Sequence, residues 1–405
     1  MPLIKATHQQ TKEHNRNLVL RRIFDHETIS RAELSRITGL TRTTVSEIVA
    51  ELLEEGLATE IGMGESMGGK SPILLSLAKD SRYLIGLDIA QNHFRGAVVN
   101  LRGEIKKMIT APVKERFGEK PLRQIFGLLD QLIKSPYHPV VGIGVGAPGL
   151  VNTSEGIVIN AVNLEWKDLP LSQILQDRYQ MPVYIYNDSQ AAAMGEFLYG
   201  KYHQKGENLV VIKVDYGIGS GIILNGKLFQ GEDGGAGEIG HVVVVRQGAK
   251  PCRCGHVGCL ETVASVQAIL RDAKELLGFP DDFNLLETSE MAYLDEIEKA
   301  FIAGNPAVRK LILNSAQYLG YAIANLVGTL NIHQIALVGK MTRFGKMWLN
   351  TIQQTALENS LSRLAESTSI EIGHLGDNAT LLGAIALLVN NSSLLFIKTS
   401  SRIVI

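Results

Sequence analysis

The pattern of hydrophobic and polar positions changes near residue 80. Before it, apolar residues recur at helical spacing in three short segments, 17–26, 31–39 and 42–55. Two short strand-like runs follow, at 57–61 and 73–77, with a glycine-rich stretch between them. The pattern therefore predicts three short helices and a β-hairpin within the first eighty residues.

Capping signals set the ends of the second and third helices. Ser30 followed by Glu33 is a capping box that opens the second helix, and Gly39 ends it. Thr41 can cap the third helix, and Gly56 stops it because glycine accepts the left-handed conformation found at many helix ends. Two short helices around a glycine turn indicate a helix-turn-helix, and the following hairpin makes it a winged helix over residues 1–80.

From residue 83 onward, strands and helices alternate in two successive halves. Each half is predicted to open with three consecutive strands and to continue with helices and single strands. The main predicted strands are at 84–89, 94–100, 105–111, 140–145, 183–186, 209–215, 220–224, 227–230, 334–338 and 369–372, and the predicted helices include 120–134 and 189–199. This repetition predicts a duplicated α/β architecture with a cleft between two lobes, where small ligands bind preferentially.

The composition is that of a globular protein of two or three domains, with 405 residues, 45% hydrophobic and 20% charged. Forty Lys and Arg against 41 Asp and Glu give a net charge of −1, which excludes a broadly basic nucleic-acid coat. The N-terminus has no apolar signal-peptide core, and no uncharged apolar run approaches the roughly 20 residues of a membrane helix. We expect a cytoplasmic protein.

The balanced total charge hides a local asymmetry. Residues 1–46 carry eight Lys or Arg and four acids, whereas residues 47–65 carry six acids and no base. We predict that the basic side meets DNA through the third helix, which would enter the major groove; a protein-interaction module with solvated charges is the alternative. The predicted DNA contacts are Arg31, Arg42, Thr43, Thr44, Ser46 and the wing residue Lys70.

All three cysteines of the chain lie within eight residues, at positions 252, 254 and 259. Thiolates are favoured zinc ligands, and three of them leave one corner of a tetrahedron to be filled. His241 and His256 both have suitable spacing for that corner. We predict zinc rather than three unrelated buried thiols. The metal is expected to be structural, because four protein ligands leave no open position for chemistry.

Several polar residues near predicted turns are candidates for binding a hydroxylated ligand. Asn187 and Asp188 stand where a strand gives way to a helix, although an aspartate there is also typical of a plain N-cap. Glu238 and His241 lie in a glycine-rich segment, for which a flexible loop is the alternative interpretation. Glu261 follows the cysteine cluster. Carboxylates and an amide converging on a cleft are suited to pairing with the vicinal hydroxyls of a sugar.

Taken together, these motifs resemble the ROK family of repressors, open reading frames and sugar kinases over nearly the whole chain. The helix-turn-helix and the 68–72 wing are similar to its repressor members. Gly144–Gly149, Asn163–Trp166, Asn187-Asp188, Glu238–His241 and the cysteine motif ending at Glu261 match its sugar and zinc motifs.

The resemblance implies an α/β fold in which the N-terminal winged helix-turn-helix precedes a two-lobed actin-like, sugar-kinase (ribonuclease H-like) ATPase-type fold. The expected first lobe is 81–195, with a C-terminal helix at 376–405 packing back on it. The second lobe is 196–375, with a zinc loop at 241–261. The resemblance implies zinc bound by His241, Cys252, Cys254 and Cys259. The implied sugar-binding residues are Asn163, Asn187, Asp188, Glu238, His241 and Glu261.

The three segments that hold ATP phosphates and adenosine in the family's kinases depart from the kinase pattern here. Asp-x-Gly-Gly-Thr is replaced by Asp-Ile-Ala-Gln-Asn at 88–92. Gly-Thr-Gly is replaced by Gly-Ile-Gly at 217–219, and Gly-Gly-Gly by Val-Gly-Lys at 338–340. We therefore expect no enzyme activity, with Asp188, the counterpart of the kinase general base, left as a vestige.

The sequence accordingly predicts a homodimer, or a dimer of dimers, that represses transcription from operator DNA and responds to a monosaccharide. An ATP-dependent sugar kinase is the alternative, and a third hypothesis is a regulator sequestered by a sugar-transport protein. Glucose, xylose and N-acetylated hexosamines all fit the family. Asp188 slightly favours a glucose-like effector, because several xylose-responsive members have Glu there.

Overall fold

The N-terminal domain of the computed structural model, which describes residues 8–65, 71–113, 115, 117–279 and 290–390, is a winged helix. Its strands form one sheet in the order β1-β3-β2. The elements are α1 (His8–Asp25), β1 (Ile29–Ser30), α2 (Arg31–Thr38), α3 (Arg42–Glu54), β2 (Ala58–Met63) and β3 (Ile73–Leu77). The predicted winged helix is confirmed.

Both predicted N-caps are present. The Ser30 hydroxyl accepts the Glu33 N–H at 3.2 Å, and the Thr41 hydroxyl accepts the Thr44 N–H at 3.2 Å. Gly39 has φ of 71°, the left-handed conformation of a helix C-cap. These signals were readable because each cap bonds a residue only three or four positions away.

The first helix begins at His8, whereas the apolar pattern predicted it from residue 17. Lys12, in the added length, pairs with Glu51 of α3 at 2.6 Å, and Arg16 pairs with Glu55. This part of α1 is polar and is fixed to α3 by ion pairs, so hydrophobic periodicity did not reveal it.

The first lobe contains a five-stranded sheet and a small three-stranded sheet. Its elements are β4 (Tyr83–Ile89), β5 (His93–Asn100), β6 (Ile105–Pro112), α4 (Lys120–Ile133), β7 (Val140–Ala147), β8 (Leu150–Asn152), β9 (Ile157–Ala161), β10 (Trp166–Leu169), α5 (Leu171–Tyr179) and β11 (Val183–Asn187). Helix α6 (Asp188–Leu198) leads from it to the second lobe. The small sheet, β10-β9-β8, was not predicted.

The second lobe contains another five-stranded sheet. Its elements are β12 (Leu209–Val214), β13 (Ile218–Leu224), β14 (Lys227–Phe229), α7 (Glu261–Ala264), α8 (Val266–Leu277), α9 (Glu290–Ile302), α10 (Pro306–Leu330), β15 (Gln334–Val338), α11 (Gly345–Glu358), α12 (Ser362–Ser367) and β16 (Ser369–Ile372). A last helix, α13 (Ala379–Asn390), ends the described chain.

The two large sheets have the same topology. Their strand orders are β11-β7-β4-β5-β6 and β14-β13-β12-β15-β16. In each, the first strand of an antiparallel meander pairs in parallel with the next strand along the chain, β4 with β7 and β12 with β15. This is the duplicated two-lobed architecture that the sequence predicted.

Helices α6 and α13 lie against each other between the lobes. Helix α6 packs on β12 and β13 of the second sheet, whereas α13 packs on β4 and β7 of the first. One apolar core runs from α1 of the winged helix through β5 of the first lobe into both of these helices. No helix in the described part of the chain is long and apolar enough to cross a membrane.

Candidate functional site

One cavity of about 480 Å³ lies between the lobes, and all six predicted sugar-binding residues line it. They come from different elements: Asn163 follows β9, Asn187 and Asp188 join β11 to α6, and Glu261 opens α7. Glu238 and His241 come from the loop after β14. The fold thus brings together residues that are far apart along the chain; their contacts with a sugar stay a prediction.

Asn187 is the N-cap of α6. Its side-chain oxygen accepts the N–H groups of Ser189 at 2.9 Å and Gln190 at 3.1 Å, and its amide nitrogen donates to the Gly149 carbonyl at 2.9 Å. The plain capping role and a place in the cavity therefore coexist. Asn187 holds the start of α6 against the 147–149 turn of the first lobe.

Asp188 faces a cation that the sequence did not point to. Its carboxylate accepts a hydrogen bond from Lys213 at 2.7 Å, and both side chains are largely buried. Burial opposes the charged form of Lys213, but the nearby carboxylates, foremost that of Asp188, outweigh it and raise the pKa of Lys213. Asp188 is thus one half of a buried ion pair.

Two more ion pairs lie close to this one, because the Asp88 and Asp215 carboxylates also act on the charge of Lys213. Arg95 pairs with Asp88 at 2.7 Å, and Lys340 pairs with Asp215 at 3.2 Å. Burial by itself would raise the pKa of Asp215, but the positive charge of Lys340 outweighs it and holds that pKa below its usual range. These residues belong to or lie next to the segments that depart from the kinase pattern. We call the region of these three ion pairs, Asp188–Lys213, Asp88–Arg95 and Asp215–Lys340, the inner end of the cleft.

Arg253 joins the two lobes across the mouth of the cavity. Its guanidinium donates to a Glu261 oxygen at 3.1 Å and to the side-chain oxygen of Asn163, and it lies 5.5 Å from the centre of the Tyr216 ring. The other Glu261 oxygen accepts the Ile218 N–H at 3.1 Å. Sequence reasoning missed Arg253, although its place between two cysteines was a signal that it lies at the site.

The four predicted zinc ligands converge. The ligand atoms of His241, Cys252, Cys254 and Cys259 all lie within 4.8 Å of one another. The Cys254 and Cys259 sulfurs are 3.7 Å apart, and the Cys252 sulfur is 3.5 Å from His241 Nδ1. A tetrahedron with Zn–S bonds of about 2.3 Å has edges of about 3.8 Å, so these residues fit a zinc ion.

His241 faces both the cysteines and the cavity. Its Nδ1 is the nitrogen near Cys252, whereas its Nε2 lies 3.8 Å from a Glu238 carboxylate oxygen. A carboxylate beside the second ring nitrogen is the arrangement that orients metal-bound histidines. The backbone N–H of His256 lowers the pKa of Cys254 to about 6, whereas burial raises the pKa values of Cys252 and Cys259, so the second and third thiolates would form only with a bound metal.

The predicted DNA contacts lie on and near α3. Arg42, Thr43 and Ser46 are exposed at its N-terminal end, and Thr44 is half-buried. Arg31 pairs with Glu60 of β2 at 2.8 Å, and Lys70 lies outside the described residues. The acidic end of α3 is turned towards α1, because Glu51 and Glu55 pair with Lys12 and Arg16.

The fold and the site define a DNA-binding protein whose second part has the two-lobed fold of sugar kinases. A winged helix-turn-helix DNA-binding model matches residues 13–59, and the ROK family model matches residues 84–391. The chain belongs to the ROK family.

Individual relatives cover most of the chain. A xylose repressor of Caldicellulosiruptor bescii is 35% identical, over 95% of this chain and 98% of that protein. A glucokinase of Halalkalibacterium halodurans is 33% identical, over 75% of this chain and 93% of that protein. A crystal structure of a ROK family transcriptional regulator, a homologue of the Escherichia coli MLC protein, matches with a TM-score of 0.81 at 28% identity and covers 95% of this chain and 98% of that one.

Proposed function

We propose that this protein is a sugar-responsive transcriptional repressor that binds operator DNA through its winged helix. The observation that carries the proposal is the union, in one chain, of a winged helix with a ROK cleft whose polar residues converge on one cavity. Relatives that match over more than nine-tenths of the chain are named repressors. A repressor that acts on operator DNA would work in the cytoplasm, and we propose that it binds two half-sites as a homodimer or a dimer of dimers.

The effector that we propose is D-xylose or a closely similar monosaccharide. The presence of Asp188 slightly favoured a glucose-like effector in the sequence analysis. Relatives at 35% and 31% identity over most of the chain, however, are named xylose repressors. Asn163, Asn187, Asp188, Glu238, His241 and Glu261 would contact its hydroxyls. Zinc held by the three cysteines and His241 would fix the loop that carries Arg253.

We infer that the protein does not phosphorylate the sugar. One oxygen of the Asp188 carboxylate accepts a hydrogen bond from the ammonium of Lys213 at 2.7 Å, and the other accepts one from the Ser189 hydroxyl at 3.3 Å, which leaves Asp188 a poor general base. Gln91 is buried and lines the cavity where the kinases of the family have glycine, so its side chain fills space needed for close backbone approach to phosphate. Because a glucokinase is among the relatives of this chain, an ATP-dependent sugar kinase is the second candidate function.

The test is release of operator DNA titrated with D-xylose, D-glucose, N-acetylglucosamine and L-arabinose. Salt is held fixed, because phosphate contacts make DNA affinity depend steeply on ionic strength. We expect D-xylose to release the operator without any other protein. Absence of release by every sugar would contradict the proposal, and sugar-dependent ADP formation in a parallel coupled assay would favour the kinase. Release only after a sugar-transport protein is added would favour sequestration.

A further inference from the structure

Helix α6 reaches from the cavity to the DNA-binding domain. It has 11 residues, from Asp188 to Leu198, which corresponds to about 16 Å of helix. Asp188 and the N-cap Asn187 line the cavity, and Tyr199 is the C-cap residue at the other end. A single rigid element therefore touches both the proposed effector site and the region next to the winged helix.

Helix α6 is held too tightly between its neighbours to bend freely. Its backbone is so close to α13 that a Cβ placed on Gly383 would lie 1.6 Å from the Ala191 carbonyl oxygen. Both oxygens of the fully buried Glu196 accept backbone N–H groups from the second lobe, those of His374 and Leu375, each at 2.9 Å. A displacement of the first turn of α6 would therefore move the whole helix, because its dense packing does not let it bend.

The far end of α6 meets the end of α1. The Tyr199 ring packs edge-on against Phe24 with ring centroids 6.4 Å apart. On its other side it contacts the turn at Gly103 so closely that an added Cβ there would lie 2.6 Å from the ring. Tyr199 is therefore clamped between the winged helix and the first lobe.

Arg102, beside that turn, fixes the end of α1. Its guanidinium donates to the carbonyl oxygens of Ile23 at 3.3 Å, His26 at 2.9 Å and Phe24, and it stacks over the Phe24 ring at 5.4 Å. Ile23 and Phe24 carry two of the last carbonyls of α1, which have no partners within the helix, and His26 is the first residue beyond its end. We call Phe24, Arg102 and Tyr199 the α6–α1 junction.

Helix α1 in turn holds the helix that is predicted to read DNA. Lys12 and Arg16 of α1 pair with Glu51 of α3 and with its C-cap residue Glu55. The contacts are thus continuous from Asp188, through the α6–α1 junction, to α3. Continuity alone does not establish coupling, which requires that the sugar and the operator favour different positions of the same element.

We propose that α6 transmits sugar binding to the DNA-binding domain, and that Tyr199 and Arg102 are the positioning residues of this transmission. The inference rests on the proposed function and deepens it. Sugar contacts at Asn187 and Asp188 favour one position of α6. The junction converts that position into the orientation of α1, and hence of α3, on the operator.

The experiment compares Tyr199→Ala and Arg102→Ala with the wild-type protein. Operator affinity is measured with and without saturating D-xylose, and D-xylose affinity is measured by calorimetry in the absence of DNA. For the wild type we expect D-xylose to weaken operator binding roughly 10- to 100-fold, within the usual range of allosteric coupling. For both variants the factor should fall below about 3, with D-xylose affinity unchanged.

Two matched variants serve as controls. Tyr199→Phe keeps the ring and removes only a buried hydroxyl that has no hydrogen-bond partner among the described residues, so its coupling should equal that of the wild type. Arg123→Ala removes an arginine that is 75% exposed on α4, where its partner is Glu119, and should also couple normally. If Tyr199→Ala does not fold, Arg102→Ala decides the outcome.

The possible results separate the inference from the proposed function. Wild-type coupling in both variants would overturn the inference and leave the proposed function standing. Loss of D-xylose binding itself in the folded variants would also overturn it, because the junction would then serve the site rather than transmit from it. A wild-type protein that responds to none of the four sugars would overturn the proposed function, and the transmission with it.

Discussion

The inner end of the cleft and its other end, at the zinc loop 241–261, both carry charged side chains. The two ends, the second of which we call the zinc-loop end, differ in how their carboxylates are paired. At the inner end, Asp88, Asp188 and Asp215 each face their own cation within 2.7 to 3.2 Å. At the zinc-loop end, the Glu238 side chain is 47% exposed and lies 3.8 Å from His241. Glu261, at the same end, is paired with Arg253 at 3.1 Å. A carboxylate paired with a cation keeps fewer lone pairs for a ligand, so among these acids the carboxylate of Glu238 is the most available to a sugar hydroxyl.

The largest expected effect is at the zinc-loop end. Cys259 is fully buried and is one of the four converging ligand groups, so Cys259→Ser should lose the metal and abolish sugar-induced operator release. Bound zinc is measured by mass spectrometry, and release by operator titration.

Val257→Ala is the matched control, because it shortens an exposed side chain of the same loop and should leave both properties intact. Cys259→Ser protein that is free of metal but still releases the operator normally would show that zinc does not support the sugar site.

Glu261→Gln should give the next largest effect. Glu261 accepts hydrogen bonds from Arg253 and from the Ile218 N–H, and it lines the cavity. Removing its charge should weaken D-xylose binding roughly 10- to 100-fold, the equivalent of one charge-assisted hydrogen bond of about 1.5 to 3 kcal/mol. Calorimetry measures the affinity, with the exposed Glu155→Gln as control; unchanged affinity would remove Glu261 from the sugar site.

At the inner end, the expected effect of a substitution is on stability. Lys213→Met leaves the Asp188 carboxylate largely buried without its cation. We expect the free energy of unfolding to fall by about 2 kcal/mol, less than for a fully buried pair because both side chains keep some exposure. Urea unfolding measures it. Adding Asp188→Asn should recover part of the loss, and a lack of any recovery would show that the two groups are not coupled.

The smallest expected effect is that of ATP. Because the inner end is occupied by its own ion pairs, magnesium-ATP should change D-xylose affinity by less than about twofold, which means almost no coupling free energy. The measurement is calorimetry with and without magnesium-ATP. A strong mutual enhancement of the two affinities would contradict the contrast between the two ends.

Local signals in the sequence predicted much of the fold. Ser30 and Thr41 were recognisable as caps because their partners lie three residues away. The apolar runs that became β15 (Gln334–Val338) and β16 (Ser369–Ile372) were predicted with their observed bounds. In contrast, β8 has only three residues and sits in a sheet whose strands include exposed polar positions, so neither its length nor its pattern made it visible.

The candidate site shows where such prediction stops. The motif residues were identified as types, but Lys213, Lys340 and Arg253 were not, because a lysine or arginine gains its meaning from a partner elsewhere in the fold. Asp188 and Lys213 are 25 residues apart, and Asn163 and Arg253 are 90 apart. Nothing local distinguishes Lys213 from the solvated charges found on any surface, and the cysteines beside Arg253 indicate its loop but not its partners.

The packing of α13 has a consequence for how the protein is made. The last described helix of the chain covers β4 and β7 of the first lobe, and α1, β5 and α13 share one apolar core. A nascent chain lacks α13 until residue 390 has been synthesised, so the apolar core that supports the winged helix stays incomplete until then. A chain terminated before α13 would expose Leu84 and its neighbours in that core. Such a chain would be open to proteolysis before it could bind an operator.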